Sequence, residues 1–398
     1  MKRGHLIAGL DIGTNTIKAL LALKKPGEDG LEVISQAQIQ NSGMRKGVVI
    51  NIDEVAAKIG EAINFCREGQ KIPPLFISIN GSHLSFIPSR GLVSVSRADQ
   101  RISGADIERA FQASRAVSLS ANQEIIDVFP QEFIIDGQPG VKEAEGLRGI
   151  RLEAKTLCLA VFSPYLKNLT AAVLAADSEI EHIIPSVLAS CQSVLKPEEK
   201  ELGVAAIEIG AGTTSLAVYE EGSLLYAAVF PVGSNNITND IAVVLKTDIE
   251  TAEKIKRDFF GSGTRKKLVS VDNHGKHVPN FSSKVLDKIV EARTREIFGQ
   301  IAKDLKKINK TKLPGGVVLT GGGAKLSKVV DFAKKEFRLP CRLGVPQSFT
   351  PAIDDLSMAA VCGLVMEGAK VFGKDNRPMP GQGILKWIKG LFKAFMPE

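Results

Sequence analysis

Two copies of a strand, a glycine turn and a second strand, about 200 residues apart, constrain the fold of this chain more than any other feature. The runs and turns are Leu6–Leu10, Gly13–Thr16 and Ile17–Leu23 in the first copy, and Val204–Ile209, Gly210–Thr214 and Leu216–Tyr219 in the second. Apolar runs on either side of a short glycine turn predict a β-hairpin. Because the pattern recurs, we expect an internal duplication of one α/β domain.

Composition excludes several classes of protein. The 398 residues, of which 44% are apolar, are typical of a globular chain with two or three folding units. Five scattered cysteines without a CxxC pair indicate a reduced cytosol. The apolar stretch near the amino terminus is interrupted at Asp11, so we predict no signal peptide, and no run reaches the roughly 20 apolar residues of a spanning helix. The net charge of +7 lacks basic runs interleaved with aromatics, so we expect no nucleic-acid partner.

Between the hairpins, the pattern predicts a helix over residues 52–68 and a buried strand at Leu75–Ile79. From Ser82 to Phe162 the pattern changes to short alternating strands around one helix, which we predict to be an inserted α+β subdomain. The predicted strands are Leu92–Val95 and Phe133–Ile135, and the predicted helix is Gly104–Ser118 behind a Ser103-x-x-Asp106 capping box.

The remaining elements are mostly helices. Helical spacing predicts helices at Pro164–Ala175, Ile184–Leu195, Asn235–Phe260 and Ser283–Asn309. A strand at Val317–Thr320 then leads through the turn Gly321–Gly323 into a predicted helix, Leu326–Phe337.

The three glycine turns predict a polyphosphate site, because glycines let phosphate oxygens approach the main-chain N–H groups. A single such turn is usually a plain β-turn, but three in this order favour a phosphate ligand. The candidate phosphate-binding residues are Gly13, Thr14, Asn15 and Lys18 in the first turn, and Gly210, Gly212, Thr213 and Thr214 in the second.

Asp11 and Glu208, at the ends of the first strand of each hairpin, are the candidate ligands of a hydrated Mg²⁺. In the third turn, Gly321, Gly322 and Gly323 would let a flat base lie close, at the N-terminus of a helix that favours anions. The chain contains neither a GxxxxGK[ST] loop nor an early GxGxxG fingerprint, which argues against a P-loop or a dinucleotide fold.

The segments LDIGTNTIKAL, AAIEIGAGTTSLAVY and VVLTGGGAKLSKV resemble the two phosphate motifs and the adenosine motif of actin-like ATPases. The resemblance implies a two-lobed actin-like (ribonuclease H-like) α/β fold that binds ATP with Mg²⁺. Glu253 and Lys256 are similar to the pair that brackets ribose and adenine in that group, and Gly233 falls at a nucleoside-binding position. A solvated helix face is the alternative interpretation of Glu253 and Lys256.

Within this superfamily the chain resembles the FtsA family of bacterial cell division proteins over nearly its whole length. The resemblance is carried by INGSHLSF (79–86), ISGADIERAF (102–111), DVFPQEFIIDGQPG (127–140), EGLRGIRLEA (145–154), ELGVAAIEIGAGTTSLAVY (201–219), PVGSNNITNDIA (231–242) and VEARTREIF (290–298). It implies a protein that polymerises, tethers the FtsZ ring to the cytoplasmic face of the cell membrane at the division septum, and recruits later divisome proteins.

The resemblance also implies a division of the chain into subdomains. The inserted subdomain, called 1C in the family and of the SHS2 type, mediates contacts between neighbours in filaments. The expected parts are 1A (1–82, 163–200 and 345–372), 1C (83–162), 2A (201–232 and 305–344), 2B (233–304), a linker (373–383) and an amphipathic helix (384–396).

Two residues depart from the patterns of the superfamily. Glu208 stands where the FtsA family usually has aspartate, so its carboxylate extends about one methylene deeper into the cleft. Actin positions the attacking water with a glutamine, and here Pro185 falls at that position, with Gln192 two turns further on. We therefore predict ATP binding with slow or absent hydrolysis.

The carboxyl-terminal segment ILKWIKGLFKAFM predicts an amphipathic helix that lies in a membrane interface. Its apolar face consists of Ile384, Leu385, Trp387, Ile388, Leu391, Phe392, Phe395 and Met396, and its basic face of Lys386, Lys389 and Lys393. This pattern predicts attachment to an anionic membrane surface. A terminal helix packed on the core would have the same period and is the alternative.

Arg293 and Glu296 match family positions near the pocket for the carboxyl-terminal peptide of FtsZ, although a surface helix pair would look the same. Two other functions remain open at this point. A PilM-like pilus-assembly scaffold would share the body without the terminal helix, and a small-molecule kinase of the superfamily would need an aspartate base.

Overall fold

Both predicted hairpins form, and each is the centre of a mixed β-sheet. The structure is a computed structural model that describes residues 4–67, 69–261, 268–269, 272–273, 276–277 and 281–373. The predicted amphipathic helix at 384–396 lies outside the described residues. Within the described ranges, no helix combines the length and apolarity needed to cross a membrane.

The first lobe is a six-stranded sheet with helices on its faces. Its strands and helices before the insertion are β1 (His5–Ile12), β2 (Thr16–Lys24), β3 (Leu31–Gln40), the short pair β4 (Met44–Arg45) and β5 (Val48–Val49), α1 (Ile52–Arg67) and β6 (Leu75–Ile79). Those of the inserted subdomain are β7 (Leu84–Ser94), α2 (Gly104–Ser114), β8 (Gln123–Ile135), β9 (Gln138–Val141) and β10 (Arg151–Phe162). The chain returns to the first lobe with α3 (Ser163–Ala175), β11 (Ile180–Pro185) and α4 (Ser186–Val194).

The second lobe contains a five-stranded sheet. Its elements are α5 (Pro197–Leu202), β12 (Val204–Ile209), β13 (Thr214–Glu220), β14 (Ser223–Phe230), α6 (Ser234–Leu245), α7 (Ile249–Gly261), the two-residue strands β15 (Leu268–Val269), β16 (Asp272–Asn273), β17 (Lys276–His277) and β18 (Phe281–Ser282), α8 (Ser283–Lys307), β19 (Val317–Thr320), α9 (Val329–Phe337) and β20 (Cys341–Leu343). The described part of the chain returns to the first lobe with β21 (Phe349–Thr350) and α10 (Ala359–Gly373).

The two sheets share one topology over five strands. The first has the order β11-β6-β1-β2-β3-β21, and the second, written in the same direction, has the order β20-β19-β12-β13-β14. The first sheet has β21 as an additional edge strand. In each sheet three consecutive strands pair antiparallel, and the first of them also pairs with a later parallel strand, β6 or β19. The expected duplication and the actin-like fold class are confirmed.

Helices α4 and α10 pack against each other between the two sheets. Their apolar residues belong to one core that includes Val187 and Leu188 of α4, Val361 and Leu364 of α10, and Val204 of β12. At the crossing, a Cβ atom on Gly363 would lie 1.7 Å from the carbonyl oxygen of Ala189. The helices therefore approach closely only because residue 363 has no side chain.

The inserted subdomain is α+β, as expected. Its antiparallel sheet has the order β7-β10-β8-β9, and α2 packs on one face of it. The predicted capping box begins α2: the Ser103 hydroxyl accepts from the Asp106 N–H, and the Asp106 carboxylate accepts from the Ser103 N–H at 2.9 Å. The helix ends at Ser114, four residues earlier than predicted, and its sheet has longer strands than predicted.

Three other predicted helices are wrong in extent. Residues 184–195 contain the end of β11 and then α4. A residue that precedes a proline disfavours helical backbone angles, and here Ile184 precedes Pro185. Residues 235–260 form two helices separated at Lys246, whose φ is +51°. Residues 326–337 contain only α9, which begins after Lys328 at φ +65°. Left-handed backbone angles interrupt a helix whatever its apolar spacing is.

Gly363→Ala is expected to lower the free energy of unfolding by about 3 kcal/mol, because the new methyl group forces α4 and α10 apart. Gly60→Ala in α1 is the matched control, since its Cβ would meet no atom within 4 Å. That variant should gain about 0.5–1 kcal/mol from helix propensity. Midpoints of urea denaturation check both, and a Gly363→Ala protein as stable as the parent would contradict the packing argument.

Candidate functional site

The two glycine turns have the same local geometry. The Gly13 N–H donates to the Thr16 carbonyl at 3.0 Å, and the Gly210 N–H donates to the Thr213 carbonyl at 2.8 Å. In each hairpin the acidic residue lies two positions before the glycine. Both turns line one cavity of about 390 Å³ between the lobes.

Most of the predicted phosphate-binding, nucleoside-binding and metal-binding residues line this cavity. They are Asp11, Gly13, Thr14, Asn15, Lys18, Glu208, Gly210, Thr213, Glu253, Lys256, Gly321, Gly322 and Gly323. Three predicted residues are not part of its lining. Gly212 lies in the neighbouring part of the cleft, beside Thr14 and Lys46. The buried Thr214 hydroxyl donates to the Val232 carbonyl, and Gly233 precedes α6.

Asp11 is held by two neighbours. Its Oδ1 accepts from the Ser78 hydroxyl at 2.8 Å, and its Oδ2 accepts from Lys18 Nζ at 3.2 Å. Asp11 and Lys18 are directly opposite each other in the hairpin, which explains why their side chains meet. Both side chains are nearly buried, so the pair places one positive and one negative group at the wall of the cavity.

Glu208 occupies the corresponding position in the second hairpin. Its Oε2 accepts from the Ser186 hydroxyl at 2.7 Å, and its Oε1 accepts from the Ser190 hydroxyl at 3.1 Å. Burial, together with the negative charge of Asp11, raises the pKa of Glu208 to about 7. The longer side chain therefore brings the carboxylate against α4, where both of its oxygens are hydrogen-bonded.

The two carboxylates fit Mg²⁺ only in the company of other ligands. No group of three or more His, Cys, Asp or Glu side chains within the described ranges could hold a metal ion. Mg²⁺ in proteins is commonly bound by one or two carboxylates together with substrate phosphates and water. Asp11 and Glu208 thus suit a magnesium ion that arrives with a phosphorylated ligand.

Glu253 and Lys256 form an ion pair on α7 with 2.6 Å between Oε2 and Nζ. Thr238 of α6 contacts both, since its hydroxyl donates to Glu253 at 2.6 Å and Lys256 Nζ approaches it at 2.8 Å. Burial lowers the pKa of Lys256, and Glu253 partly opposes this effect. The pair lines the cavity, so it is more than a solvated helix face.

The third glycine turn also lines the cavity. Gly321 has φ +84°, and a Cβ atom there would lie 2.6 Å from the Ile209 carbonyl oxygen. On Gly323 a Cβ atom would lie 2.4 Å from Ile209 Cγ2. The turn continues as a short 3-10 helix, Gly322–Lys325, and α9 begins only at Val329. A helix therefore begins at this turn, as expected, but it is a single 3-10 turn and not the longer predicted helix.

Three asparagines connect the lobes, and two of them, Asn80 and Asn235, were not predicted from the sequence. The side chains of Asn15 and Asn235 donate to each other at 2.9 Å in both directions. Asn80 donates to the Thr213 hydroxyl and accepts from Ser215, each at 3.2 Å. The position of Asn80 directly after a buried strand was a usable signal, whereas Asn235 carried none.

The residues predicted for peptide binding are occupied by intramolecular contacts. Arg293 of α8 donates to both oxygens of Asp240 on α6 at 2.8 Å and also contacts Glu296. Those neighbours raise the pKa of Arg293 further. Gln192, considered for positioning water, accepts from Lys370 at 2.7 Å and is not part of the cavity lining.

Comparison with known proteins identifies the family. A family model described as cell division protein FtsA matches residues 205–363, and one described as an SHS2 domain inserted in FTSA matches residues 81–160. FtsA of Pseudomonas aeruginosa is 35% identical over 382 residues, covering 92% of this chain and 90% of the relative. FtsA of Neisseria meningitidis is 34% identical, covering 96% and 94%. The chain belongs to the FtsA family. It is an actin-like cell division protein.

Solved structures agree with the fold. A chain of the PilM–PilN type IV pilus biogenesis complex matches this structure with a TM-score of 0.67 and 16% sequence identity. The match covers 91% of this chain and 98% of that one. MreB5 of Spiroplasma citri, bound to ADP, has a TM-score of 0.54 and 12% identity, with coverage of 94% and 99%. At these identities the similarity to both proteins shows a shared fold.

Glu208→Gln is expected to change how stability depends on pH in metal-free protein. The folded-state pKa of Glu208, about 7, lies above the ordinary 4.5, so this residue lowers the free energy of unfolding as pH rises from 4.5 to 7. At about 1.4 kcal/mol per pKa unit, the contribution is about 3 kcal/mol. The variant should match the parent near pH 4.5 and exceed it at pH 8.

Urea denaturation in EDTA at both pH values measures this difference. Glu198→Gln, at an exposed position, is the control and should follow the parent at every pH. If the free energies of unfolding of Glu208→Gln and the parent changed with pH in parallel, ionisation of Glu208 would not destabilise the folded protein, and the prediction would be wrong.

Proposed function

We propose that the cavity between the lobes binds ATP with Mg²⁺, and that the chain assembles into filaments that tether the FtsZ ring to the membrane. The observation that supports nucleotide binding is that two glycine turns, each closed by the same main-chain hydrogen bond, line one cavity. Its volume of about 390 Å³ is within the range of small-ligand sites. Relatives named as cell division proteins support the division role.

Each part of the cavity has a role in this proposal. Main-chain N–H groups of the turns at Gly13 and Gly210 bind phosphate oxygens, and Lys18 neutralises charge. Mg²⁺ would be held through water by Asp11 and Glu208, and it screens the charge of the phosphates when bound. Glu253 and Lys256 would flank the nucleoside.

Slow hydrolysis is part of the proposal. Actin positions the attacking water with a glutamine, whereas Pro185 falls at that position here and has no side-chain group that could orient water. Gln192, two turns further on, accepts from Lys370 and is not part of the cavity lining. The protein then acts mainly as a nucleotide-dependent assembly unit, which disfavours the kinase alternative.

Membrane attachment rests on the sequence of the tail. Three lysines near an anionic leaflet contribute about 1 kcal/mol each, and burial of the apolar face adds to them. Ordering about 14 residues costs about 1 kcal/mol per residue, so one tail binds weakly. A filament that carries many tails binds firmly through avidity. A PilM-like scaffold would not need such a tail.

FtsZ binding is proposed at α8. Arg293 offers a guanidinium that a peptide carboxylate could share with Asp240, and Glu296 could accept from a basic residue of the same peptide. A peptide of mixed charge suits this pair. Contacts between neighbouring copies through the inserted subdomain, and recruitment of later divisome proteins, complete the proposed role.

Asn235→Ala should accelerate dissociation of a fluorescent ATP analogue by about 30-fold, because two hydrogen bonds of about 1 kcal/mol each no longer hold the lobes together. Stopped-flow displacement by unlabelled ATP measures the rate. Asn239→Ala, at an exposed position on the same helix, is the matched control and should dissociate at the parental rate. An unchanged dissociation rate in Asn235→Ala would contradict a role of the Asn15–Asn235 pair in retaining the nucleotide.

The proposed function is tested by co-sedimentation of the full chain with anionic vesicles, with and without ATP and Mg²⁺. We expect the parent to sediment with vesicles when ATP is present. Trp387→Glu, which places a charge in the apolar face, should stay in the supernatant, and Lys389→Arg should sediment as the parent does. Equal sedimentation of Trp387→Glu would contradict the tail assignment, and calorimetry without ATP uptake would contradict the nucleotide assignment.

A further inference from the structure

Two β-bulges, one in the inserted subdomain and one in the second lobe, face each other. Along β8, Lys155 is opposite Glu132 and Thr156 is opposite Pro130, so Gln131 is the extra residue. Along β14, Val218 is opposite Tyr226 and Tyr219 is opposite Leu224, which leaves Leu225 as the extra residue. A bulge takes one residue out of the ladder and changes the direction of its side chain and carbonyl group.

The side chain of Gln131 spans the gap between these bulges. Its Nε2 donates to the carbonyl oxygens of Leu224 at 2.9 Å and Leu225 at 3.1 Å. In return, the Ser223 hydroxyl donates to the Gln131 carbonyl at 2.9 Å. Gln131 is only 8% exposed, and Lys142 Nζ lies 3.2 Å from the Ser223 hydroxyl at the edge of the contact.

The Gln131 contact joins the inserted subdomain to the second lobe, whereas the chain itself joins that subdomain to the first lobe. The inserted subdomain is joined covalently to the first lobe at both ends, through β6 before it and α3 after it. Its Gln131 is hydrogen-bonded to the second lobe. A rotation of one lobe relative to the other must therefore either break the Gln131 hydrogen bonds or reorient the inserted subdomain.

Strand β14 also reaches the candidate site. Its far end, Phe230, pairs with Thr214 next to the second glycine turn, and its near end, Leu224, contacts Gln131. At about 3.3 Å per residue, the strand extends roughly 20 Å between these points. The strand therefore forms a continuous hydrogen-bonded connection between the second glycine turn and the Gln131 contact.

We propose that Gln131 couples the second lobe to the inserted subdomain, so that nucleotide in the cleft changes the orientation in which that subdomain meets a second copy of the chain. The inference rests on the proposed nucleotide binding and names the element that it regulates. A contact that only braces the fold would stabilise the protein equally with and without nucleotide. Coupling requires that the response to nucleotide itself depends on Gln131.

Hydrogen exchange of the intact chain, followed by mass spectrometry with and without ATP and Mg²⁺, separates these two roles. In the parent we expect ATP to change exchange both in residues 204–220 around the second turn and in residues 123–141 of the inserted subdomain. In Gln131→Ala and in Gln131→Met, which keeps the side-chain volume, the response of residues 123–141 should be lost. The response of residues 204–220 and the affinity for ATP should persist.

Gln138→Ala is the matched control, because Gln138 is exposed on β9 of the same subdomain and should retain the parental response. If Gln131→Ala does not fold, Gln131→Met decides the outcome. The coupling is refuted if residues 123–141 respond to ATP equally in the parent and the Gln131 variants, or do not respond in the parent although residues 204–220 do. If no segment responds and calorimetry finds no ATP binding, the proposed function fails as well.

Discussion

The main-chain hydrogen bond that closes each glycine turn, from the glycine N–H to a carbonyl three residues later, determines how the rest of the cleft is arranged. It places an acidic residue two positions before the glycine at the end of a buried strand, and it directs the turn into the space between the sheets. Because the bond occurs in both hairpins, the cleft has two similar walls. The asparagine pair formed by Asn15 and Asn235 then links those walls directly.

The two walls differ in the partners of their acidic residues. Asp11 is balanced by Lys18 within its own hairpin, whereas Ser215 stands opposite Glu208 and provides no charge. Glu208 instead relies on two serine hydroxyls of α4, and burial raises its pKa. A divalent cation would lower the pKa of this carboxyl again, so cation binding and ionisation of Glu208 favour each other.

The inserted subdomain is connected to this cleft through its contact with β14. Helices α4 and α10 hold the two sheets together through the close approach at Gly363, while the contact of Gln131 with β14 connects the insertion to the second lobe. The first of these contacts is close-packed and apolar, and the second combines the hydrogen bonds of Gln131 with an ion pair between Lys142 and Glu221.

Local patterns in the sequence were sufficient for the hairpins, the capping box at Ser103 and the glycine turns, because a hydrogen bond between near neighbours or a backbone angle decides each of them. The same patterns also located nearly half of the residues that line the cavity, and the resemblance to actin-like ATPases added Glu253 and Lys256. They overestimated helices at residues 184–195, 235–260 and 326–337, since apolar spacing does not reveal the strand end at Pro185 or the left-handed angles of Lys246 and Lys328. The pairing of Asn15 with Asn235, and the contact of Gln131 with Leu224, were decided only by the tertiary structure. These partners are far apart in the chain and are brought together by the packing of whole sheets, which no local pattern records.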